Sequence, residues 1–120
     1  MKQSIEMTLP MPPSTNRLWR NVGKKVILSK EYRAYKARVM PTMRNALHSG
    51  WVKTDKPLRV SVTLLKSNGV KFDIDNRFKA LFDCMESVGF FFNDNQIVEL
   101  SAIKKNNSKE TMCIVSVEEI

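Results

Sequence analysis

The sequence predicts an α/β fold: one domain in which helices pack on a mixed sheet, with the elements in the order β-α-β-α-β-β. Three observations carry that expectation. Short runs of strict apolar/polar alternation are interleaved with segments whose apolar residues recur at three- and four-residue steps. A chain of 120 residues with 42% hydrophobic content suits one ordinary domain, so residues 1–120 are read as a single unit. No apolar run approaches the roughly 20 residues of a bilayer span, and the start, Met1-Lys2-Gln3-Ser4-Ile5-Glu6, lacks the apolar core of a signal peptide. A cytoplasmic protein without membrane contact is expected.

The first strand spans Ser4 to Leu9, with Ile5, Met7 and Leu9 on one side and Glu6 and Thr8 on the other. It ends at Pro10, in a segment, Leu9 to Arg17, that holds three prolines and must be stiff and short of backbone donors. That rigidity can position Asn16 and Arg17. A hairpin is expected around Asn21 to Lys25. Ser29 can then cap a helix through Tyr32, Tyr35, Val39, Met43 and Leu47, which Pro41 should kink or divide. Leu58, Val60, Val62 and Leu64 alternate as the next strand, followed by the turn-like Ser67-Asn68-Gly69.

The best-defined helix runs from Asn76 to Val88. Phe78, Leu81, Phe82, Met85 and Val88 form its apolar stripe, Asp75 is placed as its N-cap and Gly89 just past its end. Gln96 to Ile103 and Thr111 to Val117 read as two further strands joined by the polar turn Lys105 to Lys109, hence a terminal hairpin.

Charge is unevenly placed. Residues 1–60 carry 13 Lys+Arg against 3 Asp+Glu, and residues 61–120 carry 7 against 9, so +10 and −2 make up the net +8. A basic half beside an acidic one is what a polyanion-binding surface next to a carboxylate metal site requires. Basic side chains that merely solvate a helix are the plainer reading. Cys84 and Cys113 show no zinc-type spacing and are expected to be reduced core thiols.

The acidic residues form a pattern. Asp73 and Asp75 are separated by one residue, so on extended chain their carboxylates point the same way. Two anions side by side need a compensating cation or proton, and Mg²⁺ suits a few carboxylates with water and phosphate filling the rest of its octahedron. Asp94 is the natural third ligand, since the Gly89-Phe90-Phe91-Phe92-Asn93 turn can bring the chain back beside Asp75. Lys79 lies one helical turn beyond Asp75, on the face of Asp83 and opposite the apolar stripe. It can serve a phosphate, or it can pair with Asp83 or Asp75. Asp75 as a plain cap and Asp94 as a plain turn residue remain the structural alternatives.

The run DIDNRFKALFD (Asp73 to Asp83) followed by GFFFNDNQ (Gly89 to Gln96) resembles the signature of the RusA family of Holliday-junction resolvases, and LPMPPSTNR (Leu9 to Arg17) resembles that family's proline-rich strand exit. The resemblance implies a single resolvase-like nuclease domain: a homodimeric, Mg²⁺-dependent endonuclease, with Mn²⁺ as a substitute, that nicks four-way DNA junctions in symmetric pairs. It makes Asp73, Asp75 and Asp94 the metal-binding catalytic carboxylates and Lys79 the assisting base or phosphate partner. Asn93 departs from the pattern, standing where an acidic pair often has its first Asp. Candidate DNA contacts are Asn16, Arg17, Arg20, Lys24, Lys25, Lys71 and Arg77, with Arg33 and Lys36 beside them.

Of the three consecutive phenylalanines not all can face inward, and Phe91 is a candidate wedge for the junction. His48 is read as a surface residue. A non-catalytic, basic DNA-binding regulator and a nuclease for other branched DNA remain the alternatives.

Overall fold

Alternation sets the first strand. In the computed structural model, β1 (Ser4–Leu9) turns Met7 and Leu9 into the core and leaves Glu6 and Thr8 exposed. The structure describes residues 2–120 apart from 15–18, 23–24, 29, 68, 70–71, 73 and 75–76. The expected hairpin is there as a two-stranded antiparallel sheet of β2 (Trp19–Val22) and β3 (Lys25–Leu28). Ser29, the expected cap of the next helix, lies outside the described residues.

That helix, α1 (Lys30–His48), is continuous and buries Tyr32, Tyr35, Val39 and Met43, the stripe its three- and four-residue spacing defines. Pro41 does not divide it. The residue sits on the exposed side, where the carbonyl its ring leaves unpaired can face water instead of the core. α2 (Phe78–Val88) buries Ala80, Leu81, Phe82, Cys84 and Met85 and stops at Gly89, whose φ of 109° is open to glycine at little cost. The two helices pack on each other and share one core cluster with the sheet.

The sheet runs β1-β6-β4-β5, built with β4 (Leu58–Leu65), β5 (Ile97–Lys105) and β6 (Met112–Glu119). β6 is antiparallel to both β1 and β4, whereas β5 is parallel to β4. The sheet is therefore mixed, as expected, but the terminal hairpin does not form. Both of its strands exist but do not pair with each other. The β4-α2-β5 crossover returns the chain parallel to the strand it left. β6, whose Cys113, Val115 and Val117 are fully buried, takes the slot between β1 and β4. The polar turn consequently passes over the end of β4, where Ser108 N–H donates to the Lys66 carbonyl at 3.2 Å and Ser67 N–H to Thr111 Oγ1 at 3.1 Å.

Helices cover one face of the sheet. β5, at the edge, is poorly covered: Val98, Leu100 and Ile103 are exposed. Among the described residues, no helix is long and apolar enough to cross a membrane.

Candidate active site

The acidic site begins at the two ends of α2. Its N-cap is Arg77, which makes no side-chain cap hydrogen bond, and the helix starts at Phe78. The capping position thus falls two residues beyond Asp75, and the role of plain N-cap expected for that aspartate is corrected. Arg77 is instead tied elsewhere: its Nη1 donates to the Pro12 carbonyl at 3.0 Å, bracing the proline-rich segment against the helix start. Asp73 and Asp75 themselves lie outside the described residues, as do Asn16, Arg17, Lys24 and Lys71. Arg20 and Lys25 fall in the β2–β3 hairpin.

Asp94 is exposed and opens a short 3-10 turn, Asp94–Gln96. Its position is fixed by neighbours. Asn93 caps the turn by accepting from Asn95 N–H at 2.8 Å, while Gln96 Oε1 accepts from Phe92 and Asn93 N–H at 2.8 and 3.0 Å. Gln96 Nε2 then donates to the carbonyls of Thr54 and Lys56, stapling the turn to the chain after α1. Asn93, the departure from the acidic pair, is therefore a capping residue of this turn. The amide of Asp94 donates to Glu86 Oε1 at 3.0 Å.

That contact places Asp94 at the C-terminal end of α2. Along the axis a rise of roughly 13 Å separates Glu86 from Arg77. The Asp94 amide is thus held against the Glu86 side chain, while Asp75 lies outside the described residues. Glu86 is a second carboxylate beside Asp94 that sequence reading passed over, although its place on the exposed side of α2 was visible in the spacing. Lys79, also exposed, pairs through Nζ with Asp83 Oδ1 at 3.3 Å, the i, i+4 arrangement its position allowed.

The donors on this side of α2 are carboxylate oxygens, the chemistry that fits a hard divalent cation. The thiols are removed from it: Cys84 and Cys113 are buried and free, and burial pushes them up to about 11 and about 12. Among the described residues no three acidic, histidine or cysteine side chains converge, so a three-carboxylate site has to draw on Asp73 and Asp75.

A basic surface flanks this site. The outer side of α1 carries a shallow groove lined by Arg33, Lys36, Ala37, Met40, Pro41 and Arg44. Its charged rims stand over an apolar floor, and none of its three cations forms an ion pair among the described residues. The Lys36 charge reaches the Cys84 thiol and Asp83 acts on Tyr32, so the Arg33/Lys36 end of the groove adjoins α2. Arg44 was not singled out from the sequence, although it continues the stripe set by Arg33, Lys36 and Met40.

The phenylalanine run divides in an unexpected way. Phe90 and Phe91 are both fully buried, so Phe91 is no wedge. Trp51 Nε1 donates to the Phe90 carbonyl at 2.9 Å and Thr54 bridges Phe91, zipping the segment after α1 to the one after α2 and closing both rings into the core. Phe92 is the exposed one, with the Lys53 ammonium 4.1 Å from its ring centroid. His48 is on the surface, as expected.

An α/β unit with carboxylates along one helix and a basic groove on the next carries the groups that binding a hard cation and a polyanion would use. Comparison makes that reading specific. The family model for endodeoxyribonuclease RusA matches residues 10–118. Proteins named crossover junction endodeoxyribonuclease RusA are similar to the chain. The one from Aquifex aeolicus is 37% identical over 97 residues, covering 81% of this chain and 75% of its own. Those from Shigella sonnei and Escherichia coli K12 are 30% identical over 101 residues, covering 84% of this chain and 82% of theirs. The chain belongs to the RusA family.

Proposed function

We propose that the protein is a divalent-metal-dependent endonuclease that resolves four-way DNA junctions by paired, symmetric nicks, with Asp73, Asp75 and Asp94 as its metal-binding catalytic carboxylates. The observation that carries this reading is the span of the family match, residues 10–118, which takes in all three aspartates and Lys79. Mg²⁺ is the cation the donor set suits, with Mn²⁺ as a substitute. When bound it supplies polarisation of the phosphoryl oxygen and acidification of the attacking water, leaving 5′-phosphate and 3′-hydroxyl ends.

The chain's own residues do the holding. The capped turn fixes Asp94, and the Asp83 pairing keeps the Lys79 ammonium on the exposed side of α2, where a phosphate can compete for it. Phosphates along the arms are contacted by the α1 groove and by Asn16, Arg17, Arg20, Lys24, Lys25 and Lys71, with Arg77 bracing the strap beside them. The place of action is the cytoplasm.

A homodimer matches the two-fold symmetry a four-way junction can adopt. The uncovered β5 edge is the surface we assign to the second copy, because an open strand edge with exposed Val98 and Leu100 invites pairing. Antiparallel pairing of two β5 strands sets the start of one, after Asp94, against the end of the other, where Lys104 Nζ donates to the Phe72 carbonyl next to Asp73. Each site then combines Asp73 and Asp75 of one copy with Asp94 of the other, which the separation along α2 favours.

The test is cleavage of a labelled synthetic four-way junction beside a linear duplex of matching sequence, in Mg²⁺ or EDTA. Paired nicks in the junction alone, lost in EDTA, support the proposal. Binding without cutting, across several junction sequences and in Mn²⁺ as well, replaces it with the binding-protein reading.

A further inference from the structure

Three cationic side chains converge on one aromatic ring immediately before the acidic motif. The Phe72 ring is buried, and around its centroid stand Lys104 Nζ at 5.5 Å, Lys66 Nζ at 5.6 Å and Arg77 Cζ at 5.6 Å. A ring face attracts each cation but carries no net charge to neutralise them. Two ammonium groups held beside one neutral ring, those of Lys66 and Lys104, favour an anion that lies against both.

The three come from different elements. Lys66 follows β4 and Lys104 is near the end of β5, so both stand at the carboxyl ends of the two parallel strands, the side on which α/β sheets hold their ligands. Arg77 caps α2. Lys104 uses one of its three donors on the Phe72 carbonyl, at 2.7 Å, and the other two have no partner among the described residues. The Lys66 ammonium has no hydrogen bond or ion pair among the described residues.

We infer that Lys66 and Lys104, both beside the Phe72 ring, form a phosphodiester-binding site that holds the DNA strand beside Asp73 and Asp75. The inference rests on the nuclease reading above and adds a subsite to it. Lys104 acts twice: its hydrogen bond to Phe72 holds the chain that leads into the motif, and its remaining donors, with those of Lys66, face a phosphate neighbouring the one that is cut. Phosphates follow one another at about 3.4 Å of helix rise per strand, so adjacent groups on a strand can meet the two ammonium groups in turn.

The experiment compares wild type with Lys66→Gln, Lys104→Gln and Lys104→Arg, measuring binding of a labelled four-way junction in EDTA over a salt series and cleavage in Mg²⁺. Each Gln variant is expected to make the slope of log affinity against log salt shallower by about 0.9 and to weaken junction binding several-fold, with a raised KM for cleavage. Lys104→Arg should restore the wild-type slope. The Lys66 ammonium makes no hydrogen bond among the described residues, so its variant tests the charge without loosening the motif. Wild-type slopes in both Gln variants would overturn the inference, as would a slower cut by Lys104→Gln with the slope unchanged, which leaves Lys104 only its structural contact with Phe72. A wild type that binds no branched DNA removes the nuclease reading itself, whereas a wild type that binds and cuts beside unaltered variants removes only this site.

Discussion

The two faces of the sheet carry opposite characters. On the covered face α1 presents Arg33, Lys36 and Arg44 outward around an apolar floor. The uncovered face has a row of hydroxyls, Ser61, Ser101 and Ser116, beside a charged row in which Arg59 lies between Glu99 and Glu118 and bonds to both. Glu6, which accepts from Ser116 Oγ, adds to the acidic balance there. The α1 groove keeps its three cations free of ion pairs among the described residues, whereas the bare face pairs Arg59 with two glutamates. On the proposed function a polyanion is drawn to the helices and not to the bare sheet, although the chain as a whole is strongly basic. The proposed DNA path rests on the placement of charge, more than on its total.

That contrast can be broken from the inside first. Phe91→Ala removes a fully buried ring that joins the segments after both helices. A loss of about 3 to 5 kcal/mol in unfolding free energy is expected, measured by urea denaturation, and both faces should fail together. Next in size is the α1 groove. The triple change Arg33→Gln, Lys36→Gln and Arg44→Gln should weaken junction binding by about a hundredfold at about 0.15 M salt and make the salt slope shallower by about 2.7. Arg59→Gln, on the bare face, should leave affinity and slope as they are; an equal loss in both variants would mean that net charge alone matters.

The smallest effect is on pH. Glu119, almost wholly buried, accepts from Gln3 N–H at 2.9 Å, and hydrogen bonds from Thr54 and Gln3 hold its carboxyl below the usual carboxylate range. Because the folded-state pKa is depressed, its stabilising effect is complete above the ordinary carboxylate pKa and is lost as pH falls through the depressed one. Glu119→Gln should flatten this part of the acid dependence, read as melting temperature against pH, while leaving DNA binding unchanged.

Much of this was legible in the sequence, and the failures have physical causes. Alternation placed β1 and β4, and the apolar stripe placed α2, because burial of one face sets the residue period directly. The pairing of β5 with β4 was not legible: two adjacent strands joined by a polar turn look alike whether they pair or straddle a third strand. The buried valines of β6 held the distinguishing signal, marking it as the more enclosed of the two. The start of α2 was misplaced because aspartate is a good cap by type, while the Arg77 bond to Pro12 comes from a distant part of the chain. Phe91 was misjudged for a similar reason, since its burial depends on the contact between Thr54 and the segment after α2. Asp94 was recognisable as a candidate, but its position beside Glu86 at the far end of the helix was not.

The most direct test of the proposed site uses Asp75→Asn and Asp94→Asn, each alone and then mixed and allowed to exchange subunits, on a labelled four-way junction in Mg²⁺. Either variant alone should bind the junction without cutting it. The mixture should regain nicking of one strand, because a mixed dimer in which sites are shared has one site with both carboxylates intact. Cutting at the wild-type rate by either variant alone would contradict the carboxylate site, and a silent mixture would contradict its sharing between copies.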